Sequence, residues 1–187
     1  HDAPIPTLPI FEVYAEIVRA GAAQVMMSLG SADATGAWWR EAVKHDEWRG
    51  HPGEGLRPLA VFSDGAEIYN HAEYEVQTWS SMITMMKGDP MEINFLILLL
   101  PMQRVACINQ VHRRINEYIA WNAEVLLSGR WPMVGFYGGS FPGTQRARLA
   151  GTPLVPVRGL GACIAATHND CKARKEVSVR ASPCSST

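Results

Sequence analysis

Two stretches of the chain carry apolar residues at the three- and four-residue spacing of a helix. The first runs from residue 10 to residue 29, and a shorter helix is predicted over residues 34–45. The second stretch begins at Ile108, and Gly129 with Pro132 closes it. Its stripe consists of Ile108, Val111, Ile115, Tyr118, Asn122 and Val125. These patterns predict two N-terminal helices and one long helix in the second half of the chain.

Between and after these helices the pattern changes to short apolar or alternating runs. Such runs, bounded by Gly, Pro and Asp, predict strands. The predicted strands cover residues 59–62, 66–69, 74–79, 93–100 and 160–167. The first three predict an antiparallel meander, with Gly65 as a turn or bulge after the first. The run 93–100 is apolar without alternation, which predicts a central strand covered on both faces, with part of a helix as the alternative.

The order of these elements predicts an α/β fold with a mixed sheet. A loop rich in Gly and Pro, residues 49–55, separates a helical N-terminal segment, residues 1–50, from the main domain, residues 56–177. A long stretch rich in Gly and Pro, residues 130–157, lies between the long helix and the last strand. The Ser-rich tail, residues 178–187, is predicted to be disordered.

Composition narrows the class of protein without assigning a function. The chain has 187 residues, of which 47% are apolar and 19% are charged, as in a globular domain. Four Cys are too few for a disulfide scaffold. The longest apolar run has about ten residues, shorter than the ~20 residues that a transmembrane helix needs. No transmembrane segment is therefore expected.

The net charge of −1 hides an uneven distribution. Residues 1–100 hold 6 Lys and Arg against 14 Asp and Glu, whereas residues 101–187 hold 11 against 4. Nine of those 11 basic residues are Arg, which binds phosphate or carboxylate through two hydrogen bonds. Either the two halves neutralise each other on one mixed surface, or the basic half contacts DNA phosphates. The candidate phosphate contacts are Arg113, Arg114, Arg130, Arg146, Arg148, Lys172, Arg174 and Lys175.

Two acidic residues follow apolar strands at comparable places. Asp64 comes after the predicted strand 59–62, and Asp170 comes after the predicted strand 160–167. If these strands are neighbours and run parallel, both carboxylates emerge at the same end of the sheet. Converging carboxylates suit Mg²⁺ or Mn²⁺, because these ions prefer oxygen ligands. The alternative is ordinary turn chemistry, since Asp beside Gly is common where strands end.

Several short motifs resemble one family of proteins. The segment Pro58-Leu-Ala-Val-Phe-Ser-Asp-Gly-Ala-Glu67 resembles the first catalytic strand of RNase H-like transposases. Later motifs follow in the order Phe136-Tyr-Gly138, Phe141-Pro142, Arg146-Ala-Arg-Leu-Ala-Gly-Thr-Pro-Leu154 and Asn169-Asp-Cys-Lys-Ala-Arg174. Together they resemble a transposase-derived, Plavaka-like family that is expanded in some protist genomes. The resemblance covers roughly residues 56–177.

The resemblance implies an RNase H-like fold and ancestral Mg²⁺-dependent cleavage and transfer of DNA strands. Asp64 and Asp170 would be the catalytic metal ligands, DNA would be the partner, and the nucleus would be the location. The chain departs from the family at Asn169, where the family has Gly in a Gly-Asp-Leu-like motif. The expected third acid and Cys-x-x-Cys motif beyond Asp170 are also missing, which implies a degenerate or inactive enzyme. Glu117 and Glu124 are possible substitutes for the third acid.

A second hypothesis belongs to another class, a non-enzymatic interaction protein or accessory subunit of a larger assembly. The chain has eight Met, including the pairs Met26-Met27 and Met85-Met86, and Met suits adaptable apolar contact surfaces. The acidic and basic halves could dock two partners. On this hypothesis the partner is a protein, and no metal ion is required.

Overall fold

The computed structural model describes residues 7–22, 32–45, 56–67, 75–83, 94–101, 108–155 and 161–169. Within these ranges the helices are α1 (Ile10–Ile17), α2 (Ala32–Ala42), α3 (Ile108–Ser128) and α4 (Gln145–Leu149), and a π-helical turn, Val18–Ala22, continues α1. The three longer helices confirm the predicted ones. The short helix α4 forms inside a predicted loop, because the Thr144 hydroxyl accepts a hydrogen bond from Ala147 N and caps it.

The strands are β1 (Leu56–Glu67), β2 (Glu75–Ile83), β3 (Asn94–Pro101) and β4 (Gly161–Asn169). They form one sheet in the order β3-β2-β1-β4. The pairs β1–β2 and β2–β3 are antiparallel, and the pair β1–β4 is parallel. The chain passes from β3 to β4 through α3. This mixed sheet with its helices confirms the predicted α/β class.

The first strand is longer than its sequence pattern predicts. Gly65 pairs with Gln77 inside β1, and pairing continues to Glu67. The predicted break at Gly65 is therefore wrong: cross-strand hydrogen bonds carry the extended conformation through the glycine. The predicted strands 59–62 and 66–69 belong to one strand as far as the described residues reach, and residues 68–69 lie outside them.

The apolar run 94–101 forms a strand, but its predicted central position in the sheet is wrong. It is β3, at one end of the strand order. The pairing shifts because Leu96 lies opposite Ser80 and Leu98 lies opposite Trp79, so Ile97 is an extra residue. This β-bulge interrupts the alternation. Ile97, Leu98 and Leu100 are all buried, while Leu96 and Leu99 remain nearly half exposed.

The outer edge of β3 is partly covered by the residues before α1. Thr7 forms a bridge with Leu98, and Leu8 N donates a hydrogen bond to Ile97 O at 2.9 Å. An edge strand needs such cover, because its free N–H and C=O groups otherwise pair with other chains.

Helices cover both faces of the sheet. On one face α1 and α3 pack against Leu59 and Val61 of β1, Ala162 of β4 and the buried residues of β3. On the other face Trp39 and Ala42 of α2 pack with Cys163. The indole N–H of Trp39 donates to Leu56 O at 2.9 Å, which fixes α2 at the start of β1. Because α1 shares its core with the sheet, part of the predicted N-terminal segment is built into the main fold.

Candidate metal centre and nucleic-acid surface

Asp64 lies within β1, three residues before its end, and not after it as predicted. Strand residues alternate between the two faces of a sheet. Leu59, Val61 and Ser63 are buried on the face that α1 and α3 cover, so Asp64 belongs to the opposite face. Its side chain is exposed, and its backbone carbonyl accepts a hydrogen bond from the Thr78 hydroxyl at 3.2 Å. The carboxylate is therefore accessible from solvent on the α2 side of the sheet.

The pairing of β1 with β4 confirms the condition set for the acidic pair: the two strands are adjacent and parallel. The last described pair of residues is Ser63 with Asn169. Asp64 and Asp170 are the residues that follow this pair in the sequence. Asp170 itself lies outside the described residues.

The described residues supply fewer ligands at Asp64 than a divalent metal ion requires. Mg²⁺ and Mn²⁺ take several oxygen ligands, of which one or two are usually carboxylates. Within the described ranges no group of three or more His, Cys, Asp and Glu residues is placed to hold a metal ion. In that part of the chain, Asp64 is the one predicted ligand. It fits as a single carboxylate ligand and does not form a complete site.

The two glutamates considered as substitutes do not lie beside Asp64. Both are on α3, which covers the face of the sheet opposite to that of Asp64. Glu124 is exposed. Glu117 accepts hydrogen bonds from Arg113 at 3.1 Å and Arg114 at 2.8 Å. The bond from Arg114, supported by that from Arg113, lowers the pKa of Glu117 below its usual range. Glu117 is thus engaged in an arginine cluster on the surface of α3.

The predicted phosphate contacts that lie within the described residues divide into three groups. Arg113 and Arg114 share the single carboxylate of Glu117, so this cluster keeps a net positive charge. Arg146 is engaged by Glu12 of α1: its Nη2 donates to Oε2 at 2.8 Å, and its Nε contacts Oε1. Arg130 and Arg148 are exposed, and no ion pair involves either in the described structure. Lys172, Arg174 and Lys175 lie outside the described residues.

The structure also reveals an exposed aromatic residue, Tyr137, which the sequence offered only as part of the Phe136-Tyr-Gly138 motif and not as a site residue. Tyr137 is 87% exposed, more than any other large apolar or aromatic residue of the described chain. It sits in the Gly-rich turn that follows α3, next to Phe136, whose ring contacts Tyr118 and Trp121. The sequence did contain a signal for this residue: Tyr137 lies between Gly135 and Gly138, in a stretch that has no acidic residues.

Comparison with known proteins gave no match to a family model, to a curated protein or to a solved structure. In the described part of the chain, none of the helices combines the length and the apolar character needed to cross a membrane. The function of the chain is therefore argued from its own residues.

Proposed function

We propose that this chain is a transposase-derived, RNase H-like domain that binds DNA and has a degenerate metal centre. The ancestral reaction would be cleavage and transfer of DNA strands with Mg²⁺ or Mn²⁺, held by Asp64 and Asp170. The chain itself would keep the DNA surface and lack efficient cleavage.

The parallel pairing of β1 with β4 is the observation that carries this proposal. An antiparallel meander, β1 to β3, is followed by a helix and a strand that returns beside β1. Three strands precede the long helix in the described chain, where the resemblance predicted a three-strand meander followed by a separate central strand. Support for the proposal comes from the β1–β4 pairing, whose last described pair, Ser63 with Asn169, directly precedes Asp64 and Asp170 in the sequence. Carboxylates brought together in this way can bind a divalent ion.

Two observations support a degenerate centre. In two-metal sites the two metal ions lie about 3.5–4 Å apart and are held by several carboxylates. Within the described ranges no third acid joins Asp64, and Glu117 and Glu124 lie on the helix of the opposite face. A single bound ion would supply Lewis-acid stabilisation and an activated water, but Asp64 and Asp170 without a third acid do not complete a two-metal centre.

A titration with Mn²⁺, followed by the relaxation of water protons, tests the metal ligands. We expect weak binding to the wild-type chain and loss of that binding in D64N and in D170N. E124Q is the matched control, because it removes an exposed carboxylate from the opposite face. Mn²⁺ binding by D64N equal to that of the wild type would contradict the assigned ligands.

A plasmid-nicking assay in Mg²⁺ and in Mn²⁺ tests the degenerate state separately. We expect no nicking above the level of a D64N control. Nicking that disappears in D64N would show an active nuclease, and the degenerate part of the proposal would then be wrong. The assay should include double-stranded and single-stranded DNA, because strand transfer enzymes act on both.

The second candidate, a non-enzymatic interaction protein or accessory subunit, has one observation in its favour. Leu96 and Leu99 are 49% and 45% exposed on β3, on the face opposite to the main core. Sedimentation velocity of the wild type and of the double variant L96S/L99S tests this candidate. An assembly that dissociates in the double variant would favour it, whereas a monomer in both would count against it.

A further inference from the structure

The loop after α3 presents an aromatic ring to solvent on a rigid base. This segment, residues 130–149, is called here the arginine–aromatic loop. Phe136 and Tyr137 occupy the centre of a turn in which Gly138 N donates to Gly135 O at 2.8 Å. Gly135 N donates in turn to Gly139 O at 2.8 Å. Gly138 has a φ of 77°, which favours glycine there. The turn therefore holds Tyr137 at its tip.

The base of the arginine–aromatic loop is fixed to the core. The chain on either side of the loop pairs through the bridge of Arg130 with Pro153, and Trp131 N donates to Thr152 O at 2.9 Å. Trp131 is buried and packs edge-on against Phe11 with ring centroids 5.7 Å apart. Phe136 packs edge-on against Tyr118 at 5.4 Å. Because the loop is held in place, little conformational entropy would be lost on binding a ligand.

The arginine–aromatic loop has a net positive charge. No Asp or Glu occurs between Glu124 and Asp170 in the sequence. Arg148 is exposed, and the guanidinium of the exposed Arg130 donates to the backbone carbonyl of Gly151 at 2.8 Å. The guanidinium of Arg146 lies 5.7 Å from the ring centroid of Phe141, and a Cβ on Gly135 would lie 3.2 Å from that ring. Phe141 thus links α4 to the tyrosine turn. Since Arg146 is paired with Glu12, the exposed arginines of this loop, Arg130 and Arg148, carry its excess of positive charge.

We propose that the arginine–aromatic loop binds single-stranded nucleic acid, with a base stacked on Tyr137 and phosphates contacted by Arg148 and Arg130. This inference rests on the proposed DNA-binding function and names the form of nucleic acid and the residues that contact it. Stacking on aromatic rings combined with arginine contacts is typical of proteins that bind single strands. In a duplex the faces of the bases are already stacked on each other, so a single protruding ring finds no partner there.

Fluorescence anisotropy of a labelled dT20 oligonucleotide with the full chain tests the inference. We expect Y137A to weaken dT20 binding by about 5- to 150-fold, the range of one stacked base. Y137F should bind like the wild type, because it keeps the ring. Y137L should be as weak as Y137A, because leucine has similar bulk without a π face. Since Tyr137 is exposed, all three variants should keep the thermal stability of the wild type.

Salt dependence tests the arginine contacts. Between 50 and 200 mM NaCl, the negative slope of log K against log salt should become shallower by about 0.7 in R148A, the value for one phosphate contact to a single strand. R40A is the matched control: Arg40 is an exposed arginine of α2, which covers the other face of the sheet. We expect R40A to keep the slope of the wild type.

Three outcomes would overturn the inference. If a 20-bp duplex binds and dT20 and rU20 do not, the loop is not a single-strand site, while the proposed DNA-binding function stands. If none of the three probes binds, both the inference and the DNA-binding part of the proposed function fail. If Y137A instead abolishes self-association measured by light scattering, the loop is a protein contact. Tighter binding of either dT20 or rU20 than of the duplex supports the inference and tells DNA from RNA.

Discussion

The side chain of Asn122 caps a helix that begins 112 residues earlier in the chain. Its Oδ1 accepts a hydrogen bond from Ile10 N at 2.8 Å, while its Nδ2 donates to Tyr118 O at 2.8 Å. Pro9 stands at the N-cap of α1 and has no side-chain group to satisfy the first N–H groups. Asn122 is completely buried. One side chain of α3 thus supplies the cap that the local sequence of α1 lacks, and it joins the two helices of the main core.

Replacement of Asn122 should therefore destabilise the whole fold. We expect N122A to lower the free energy of unfolding by about 1–3 kcal/mol, because it leaves Ile10 N buried without a partner. Urea unfolding followed by circular dichroism measures this change. N116A is the control, since Asn116 is exposed on the same helix. An equal loss in N116A would show that helix propensity, and not the cap, is responsible.

The ion pair between Glu12 and Arg146 links α1 to α4 and should also contribute to stability. The Glu12 side chain is 23% exposed and that of Arg146 is 43% exposed, so water screens the pair only in part. We expect a double-mutant cycle with E12Q and R146Q to give a coupling energy of about 1 kcal/mol. The exposed pair Arg113–Glu117 is the control and should give a smaller coupling. A coupling near zero for the first pair would contradict its structural role.

Because of the β-bulge in β3, alanine substitutions at Ile97 and Leu99 should differ strongly in their effect on stability. Ile97 is 4% exposed and lines the core with Ile10 and Phe95, so I97A should cost about 2–5 kcal/mol. Leu99 is 45% exposed, so L99A should change stability by no more than about 0.5 kcal/mol. Thermal and urea unfolding of the two variants measure the difference. Equal losses would mean that the pairing register of β3 differs from the one described.

Alkaline pH should weaken the fold through Cys163 and Tyr14. Burial raises the pKa of the Cys163 thiol to about 12 and raises the pKa of Tyr14 above its usual range. Both groups are neutral in the fold, so their contribution is complete below the unfolded-state pKa and is lost as the pH rises through the folded-state pKa. For Cys163 this window runs from 9.0 to about 12.

Urea unfolding at several pH values tests this prediction. Each such group should contribute a slope of about 1.4 kcal/mol per pH unit within its window. In C163A the dependence between pH 9 and 10 should be weaker than in the wild type by one such contribution. Below pH 8 the two proteins should show parallel pH profiles. Identical profiles at pH 9–10 would contradict the burial of the Cys163 thiol in the folded state.

Part of the candidate site could be predicted from the sequence alone. The sequence located Asp64 and Asp170 after similar apolar runs, and their convergence required the two strands to be parallel neighbours; the pairing of β1 with β4 meets that condition. It placed Asp64 at the end of a strand, because Gly65 is a typical turn residue. The pairing of Gly65 with Gln77, which keeps it inside β1, depends on the neighbouring strand. The sequence did not identify Tyr137 as a site residue, because exposure of an aromatic ring is decided by what the rest of the fold leaves uncovered.

Local periodicity in the sequence was enough to predict helices over residues 10–29 and 34–45, the long helix that begins at Ile108, and the α/β class, because helix and strand periodicities are local properties. Long-range contacts, by contrast, place β3 at the edge of the described sheet and shift its register at Ile97. They also assign to Asn122, in the apolar stripe of the long helix, the role of capping α1. Strand order, bulges and long-range caps depend on contacts between residues far apart in sequence, and no local pattern records those contacts.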